Sequence, residues 1–266
     1  MNFKAGIGIG LVAFAGISVL SFRNNVSEIN LTSNEYKVLT VQGRIIFEQT
    51  GKDMERGDLY VTGTPLNFTT TTSRAAIVND VNGRYVLSSS KGKLKVLPAA
   101  NNVSSRSGAI LNVVDLKNHF AGRYLILDVA KVPVGVESFP MNENSFFYLT
   151  YEHNGEQIPK KLSYEGENLI LDRNEIFKVD GNPIPVTEKE MTLYYKGDKT
   201  YKINTFTPVF TDETVLKEEV SILLDALKTA DTAKKTGEVT AYLNEFYGSP
   251  SKDNLAAWLK KEFNLE

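Results

Sequence analysis

Residues 146–162 read FFYLTYEHNGEQIPKKL, and this stretch decides how the rest of the chain is read. Eight residues dominated by aromatic and β-preferring side chains run into Asn154-Gly155, and a second short run follows as far as Leu162. Asn and Gly both tolerate positive φ, so the pair suits a two-residue turn whose twist matches that of the flanking strands. The segment is therefore expected to be a hairpin. Successive side chains of a strand point to opposite faces, so alternation divides the cluster Phe146, Phe147, Tyr148 and Tyr151 between a buried and an outward face. Phe147 and Tyr151, with His153 at the strand end, are taken as candidates for an outward interaction surface.

The same grammar extends in both directions. Toward the C-terminus, Asn168–Leu171, Ile176–Val179, Met191–Tyr195 and Tyr201–Phe206 read as strands, with a turn at Asp180-Gly181-Asn182. Toward the N-terminus, Ala109–Val114 and Tyr124–Val129 do likewise, and Ala99–Gly108 (AANNVSSRSG) has the composition of a loop. Further upstream, Lys37–Gln49, Leu59–Val61, Leu66–Thr71, Ala75–Asn79, Arg84–Ser88 and Leu94–Leu97 form a set of short strands, with Asn82-Gly83 as a second hairpin signal. Pro133, Pro140, Pro159, Pro183 and Pro185 fall at expected edges or loops, where a missing N–H costs little.

Within residues 38–97, the succession Val41-Gln42-Gly43-Arg44-Ile45, Met54-Glu55-Arg56-Gly57-Asp58, Thr72-Ser73-Arg74-Ala75-Ala76-Ile77, Asn82-Gly83-Arg84-Tyr85-Val86-Leu87 and Leu94-Lys95-Val96 resembles the FecR-type periplasmic β domain. The resemblance covers about 60 residues and implies a small periplasmic β domain. In that family a cytoplasmic segment precedes the membrane helix and carries the signalling role, whereas four residues precede the apolar run here.

From Thr211 the period changes from two to 3.6. Thr211 or Asp212 can cap a helix with Leu216, Val220, Leu223, Leu224 and Leu227 on one stripe and Lys217, Glu218, Glu219, Asp225 and Lys228 facing away. Val239, Tyr242, Leu243, Phe246 and Tyr247 repeat the stripe before Gly248 and Pro250, and Ser251 can cap a third helix bearing Leu255, Trp258, Leu259 and Phe263. The expected fold is thus α+β. A mostly antiparallel β body, built as one or two small sandwich- or barrel-like units, is followed by a helical unit over residues 211–266. Residues 36–98 form the first β unit, and residues 109–210 form a second unit or a continuation of the same sheet system.

At the other end lies AGIGIGLVAFAGISVLSF, residues 5–22, preceded by Lys4 and the N-terminal amine. Eighteen helical residues reach about 27 Å, near the thickness of a hydrocarbon core. Residues 1–23 are expected to be either a signal peptide, with Val19-Leu20-Ser21 as a mediocre cleavage site, or a single membrane anchor. Residues 24–35 are polar and read as a flexible linker. Both cases place the body outside the cytoplasm, on the periplasmic side of the inner membrane or secreted into the periplasm.

The composition narrows the chemistry. There is no cysteine, hence no disulfide and no thiolate nucleophile, a pattern that suits a bacterial envelope. The net charge of −2 does not mark the chain as a nucleic-acid binder. Charge is uneven: Thr211–Glu266 carries 7 basic and 11 acidic residues, a net of 7 − 11 = −4. Of the two histidines, His153 stands at a hairpin tip and His119 lies four residues after Asp115; each is better read as an ordinary structural residue than as a catalyst or metal ligand. Glu152 and Glu156 flank the turn and are the candidates for a glycosidase-like carboxylate pair, with Glu165, Glu167 and Asp172 nearby. Lys91, Lys93 and Lys95 alternate along one segment as a basic stripe, and Lys160-Lys161 form a second basic spot; anionic polymer or lipid would suit them, although solvated edge lysines are the plainer account.

Taken together, the sequence points to an exported, non-enzymatic envelope protein that binds another envelope protein in a structural or regulatory role. Residues 5–22 would touch the membrane if retained, and no cofactor or metal is implied. The alternatives are a carboxylate-based hydrolase of cell-wall glycan or peptide, and a FecR-like transmembrane signalling component.

Overall fold

The computed structural model describes residues 34–90, 93–100, 106 and 110–265. The apolar run, nearly all of the linker and Lys91 lie outside the described residues. Among the described residues, no helix is long and apolar enough to cross a membrane.

The elements run β1 (Glu35–Gln42), β2 (Ile45–Phe47), β3 (Leu59–Val61), β4 (Leu66–Phe68), β5 (Arg74–Asn79), β6 (Gly83–Ser90) and β7 (Lys93–Pro98), then α1 (Val113–His119), β8 (Gly122–Ile126) and β9 (Val129–Pro133). Next come β10 (Phe146–His153), β11 (Glu156–Lys161), β12 (Tyr164–Glu165), β13 (Asn168–Asp172), α2 (Arg173–Ile176), β14 (Lys178–Val179), β15 (Asn182–Pro183), β16 (Met191–Lys196) and β17 (Thr200–Phe210). Three helices close the chain, α3 (Glu213–Ala226), α4 (Thr232–Phe246) and α5 (Lys252–Phe263). The protein is mostly antiparallel β with a few helices.

Two five-stranded sheets carry the architecture, in the orders β3-β1-β5-β6-β7 and β11-β10-β16-β17-β8. Every pairing in the first is antiparallel, whereas β8 joins the second parallel to β17. Asn154 (φ 52°) and Gly155 (φ 83°) form the two-residue turn of the β10–β11 hairpin, with His153 opposite Glu156. The Asn82-Gly83 turn differs from the expectation. Only Gly83 has positive φ, and the loop is wider because the Asn79 side-chain oxygen accepts the N–H groups of Val81 and Asn82.

Three other expectations are corrected. The run 37–49 is not one strand: it breaks at Gly43 (φ 76°), where a Cβ would fall 2.6 Å from Ser73 Oγ. The run 124–129 breaks at Asp128 (φ 55°), so that β8 and β9 join different sheets. Ala109–Val114 is not a strand either. Asn112 accepts the N–H groups of Val114 and Asp115 and caps α1, a local bond that outweighs the β preference of the two exposed valines.

The first sheet is covered on both faces. Tyr36, Val38, Ala75, Ile77 and Leu87 pack with Ile45, Met54, Tyr60 and Leu66 on one side. Leu39, Ala76, Val78 and Val86 pack beneath α3, α4 and α5 on the other. Each helix begins where a side chain satisfies free N–H groups, with Asp212, Asp231 and Ser251 as the caps. Trp258 is 3% exposed, and burying a large apolar side chain of this kind contributes about 1.5–3 kcal/mol.

The second sheet buries one face only. Phe147, Leu149, Tyr151, Met191, Leu193, Tyr195 and Phe206 meet Ala130, Val132, Leu169 and Leu171 of the three-stranded sheet β12-β13-β9. The helical unit overlaps just the far end, where Leu125 and Val209 join its core. Asn254 of α5 is bonded there on both sides of its amide: its oxygen accepts Leu127 N–H at 2.9 Å and its nitrogen donates to Leu127 O at 2.7 Å.

Candidate functional site

The uncovered face of the second sheet is built from the alternate residues of β10 and β16. Their burial patterns repeat strictly, with Phe146, Tyr148, Thr150, Thr192 and Tyr194 half-buried between fully buried neighbours. The phase is opposite to the expected one. Phe147 is 1% and Tyr151 2% exposed, and the Tyr151 hydroxyl donates to Ile176 O at 2.7 Å inside the core. Alternation separates the two sets but not inside from outside. That choice is made by Leu149, which with its cross-strand partner Leu193 belongs to the inward set.

Register carries the outward residues into rows across the sheet. Lys161, Tyr148, Tyr194 and Lys202 are successive partners over β11, β10, β16 and β17. The next row is Pro159, Thr150, Thr192 and Thr205, in which the Thr192 and Thr205 hydroxyls lie 3.1 Å apart. Tyr148 and Tyr194 stack with centroids 5.0 Å apart at 9°. Beside them, the Lys161 and Lys196 ammonium groups stand 4.3 and 5.4 Å from the Phe146 ring centroid, positions that draw on the ring's negative face.

The other sequence candidates do not gather here. Lys93 and Lys95 lie on β7, the edge strand of the first sheet, whereas the β10 aromatics belong to the second. Glu152 pairs with Gln157 and His153 with Glu156, so Glu152 and Glu156 leave the hairpin on opposite faces and form no convergent carboxylate pair. Glu165 is bonded to Lys131, and Asp172 accepts Asn174 N–H as the cap of α2.

His153 keeps its ring at the hairpin tip, with Asn154 Nδ2 3.2 Å from Nε2. His119 is held inside. Its Nε2 lies 3.1 Å from the Tyr124 hydroxyl, and burial, then the nearby Arg106 guanidinium, push it down to about 4. Arg106 donates to the carbonyls of Asn118, His119, Ala121, Arg123 and Ser249 and lies 4.6 Å above the Tyr124 ring, a structural clamp. Asp115 instead accepts Leu111 N–H at 3.0 Å. Among the described residues, no cluster of three or more His, Asp or Glu side chains is placed to hold a metal.

One buried polar centre was missed by the sequence pattern. Glu219, expected to face solvent, is 1% exposed, and its Oε2 accepts the Tyr242 and Tyr247 hydroxyls at 2.7 and 2.6 Å. Burial, reinforced by the negative Glu219, raises the pKa of both tyrosines. Arg56 completes the group, 2.6 Å from Glu218 and 3.9 Å from Glu219. A signal was present: Glu219 sits three residues after Leu216 and one before Val220, inside the apolar stripe.

No protein-family model matches the chain, and no curated protein matches it. Among solved structures, one that it resembles is the crystal structure of Dscam1 isoform 6.44, N-terminal four Ig domains. The match has 7% identity and a TM-score of 0.18, and it covers 65% of this chain and 44% of that one, less than half its length. Similarity at that level carries no argument about fold or function.

Proposed function

We propose that this is an exported bacterial envelope protein that acts as a non-enzymatic binding module, with the open face of the second sheet as its contact surface for another envelope protein. The body is then sandwich-like, its β layers held by the helical unit, and residues 5–22 deliver it to the periplasmic side of the membrane. The observation that carries the reading is the one-sidedness of that sheet. β10 and β16 alternate buried residues with half-buried or exposed ones along their length, and the outward set includes Phe146, Tyr148, Tyr194 and Lys196. Tyrosine is favoured at recognition surfaces because it supplies large contact area with a polar end.

The test is photo-crosslinking in cells that make the full chain. A crosslinking amino acid at position 194 should trap a partner protein in the envelope fraction, whereas one at the exposed Lys228 should not. Equal trapping from both positions, or none from position 194, would overturn the assignment of the surface. Recovery of the chain in the cytoplasm would overturn the assignment of the compartment.

A further inference from the structure

The open face carries an uncompensated charge pattern that specifies the chemistry of its partner. We infer that it receives an extended acidic segment of another protein, lying across the strands along the row Lys161, Tyr148, Tyr194 and Lys202; this rests on the binding reading above and deepens it.

Charge is the first support. Lys161, Lys196 and Lys202 are all exposed, and none of the three lies in an ion pair among the described residues. Glu152 is the one carboxylate among the outward positions of β10 and β16, and Asp198 lies two residues beyond Lys196 in the β16–β17 turn, in no ion pair with it. Elsewhere some cations are paired, Arg123 with Glu188, Lys131 with Glu165, Lys217 with Glu262 and Lys261 with Asp128, while Lys117, Lys235 and Lys252 also lie in no ion pair among the described residues. What sets the open face apart is that three such lysines surround one aromatic row.

Spacing is the second support. Lys161 and Lys202 are three strand-to-strand steps apart, roughly 14 Å at backbone level, which is the reach of about four extended residues. Carboxylates four positions apart in an extended peptide would meet both lysines, with the stacked tyrosines between them. Lys161 and Lys196 already rest over Phe146, which limits the side-chain freedom lost on binding.

The β11 edge of the sheet disfavours another mode of docking. Leu162 N–H donates to Phe147 O, so the even-numbered residues of β11 direct their N–H groups to β10 and the odd ones point away. Pro159 occupies an outward position and has no N–H to offer, so a partner strand cannot extend the ladder there. This blunts the β11 edge beside the row and favours a partner that meets the face. A lipid surface fits less well, because Phe146, Tyr148 and Tyr194 are half-buried and no large exposed apolar residue among them is available to insert.

The experiment is fluorescence anisotropy of the full chain with a labelled ten-residue peptide of glycine and glutamate, the glutamates four positions apart, and a lysine counterpart as control. The glutamate peptide should bind, weaken with added salt, and lose about tenfold in affinity for each of Lys161→Ala and Lys202→Ala. Thermal melts should show both variants folded like the parent. Equal binding of the two peptides, or parent-like affinity in both variants, would overturn the proposal. So would lysine-dependent binding of phosphatidylglycerol vesicles without binding of the peptide. If crosslinking from position 194 succeeds while the peptide fails, the acidic partner is wrong and the surface stands; if crosslinking fails, both fall.

Discussion

The two five-stranded sheets are handled in opposite ways. In the first, β5 is buried at nearly every position because a hairpin layer covers one face and three helices cover the other. In the second, β10 alternates strictly and its outer side is left to solvent. The covered face takes charged residues only when each is answered inside the fold. Arg84, with its side chain 1% exposed, is held by Glu245 of α4 and by Ala100 O, and Glu219 is held by two tyrosines. The open face leaves its lysines unanswered. Charges that a fold neutralises internally serve stability, while charges it leaves on a flat aromatic surface are free for another molecule.

The largest effect should come from breaking the seal over the first sheet. Glu245→Ala removes the nearer carboxylate of the buried Arg84 guanidinium and leaves only Glu238, 3.9 Å from Nε, and loss of one partner of a buried pair costs up to about 3–5 kcal/mol. Denaturant unfolding of the full chain measures this directly. A loss below about 1 kcal/mol would mean that the helical cover admits solvent, and the contrast between the sheets would weaken.

Next in size is Glu219→Ala, which leaves the Tyr242 and Tyr247 hydroxyls without their acceptor. Loss of the acceptor of the buried Tyr242 hydroxyl, with a smaller part from the half-buried Tyr247, which keeps Thr40 within hydrogen-bond reach, should cost roughly 1–3 kcal/mol. Thermal melts of the parent and of Glu219→Ala with Tyr242→Phe would show whether part of that loss returns once one donor is also removed.

The third effect tests the covered side of the second sheet through pH. His119 is held down to about 4 in the fold, chiefly by burial and then by Arg106, whereas the unfolded chain titrates near 6.5. Above about 6.5 both states are neutral there and His119 contributes no pH dependence. As the pH falls from about 6.5 to about 4, only the unfolded chain takes the proton, so stability declines through that window. With partial exposure allowed for, the loss is on the order of 2 kcal/mol. His119→Phe should flatten this slope in denaturant titrations at pH 7 and pH 5; an unchanged slope would place the ring in contact with water.

Much of this contrast was legible in the chain, and what was not has identifiable causes. Asn154-Gly155 specified its hairpin because both residues accept positive φ, and the stripes of the C-terminal helices located their buried faces. Glu219 was misread because a carboxylate was assumed to face water, although its position lay on the stripe; the tyrosines that offset its burial come from another helix, 23 and 28 residues away. Phe147 and Tyr151 were placed outward because period two has no sign until a second layer is known. The row of Lys161, Tyr148, Tyr194 and Lys202 was invisible for a related reason: it exists only once four strands fall into register.

The smallest effect on stability is the most discriminating between the two sheets. Tyr148→Ala removes one member of a stacked cross-strand pair from the open face, and pairs of this kind contribute about 0.2–1 kcal/mol. The inward neighbour behaves differently. Phe147→Ala empties a fully buried site between Phe139 and Tyr195, a change that costs about 3–5 kcal/mol. The two substitutions stand one residue apart on the same strand, so backbone propensity and local sequence are nearly matched and the difference between them isolates the face. Binding should divide them in the other direction. Tyr148→Ala should keep the melting curve close to that of the parent and abolish crosslinking from position 194. A conservative Phe147→Leu should lower stability yet leave crosslinking intact at a temperature where the chain is folded. If both variants lose crosslinking in proportion to their stability, the open face has no role of its own, and its lysines and tyrosines are surface residues like any others.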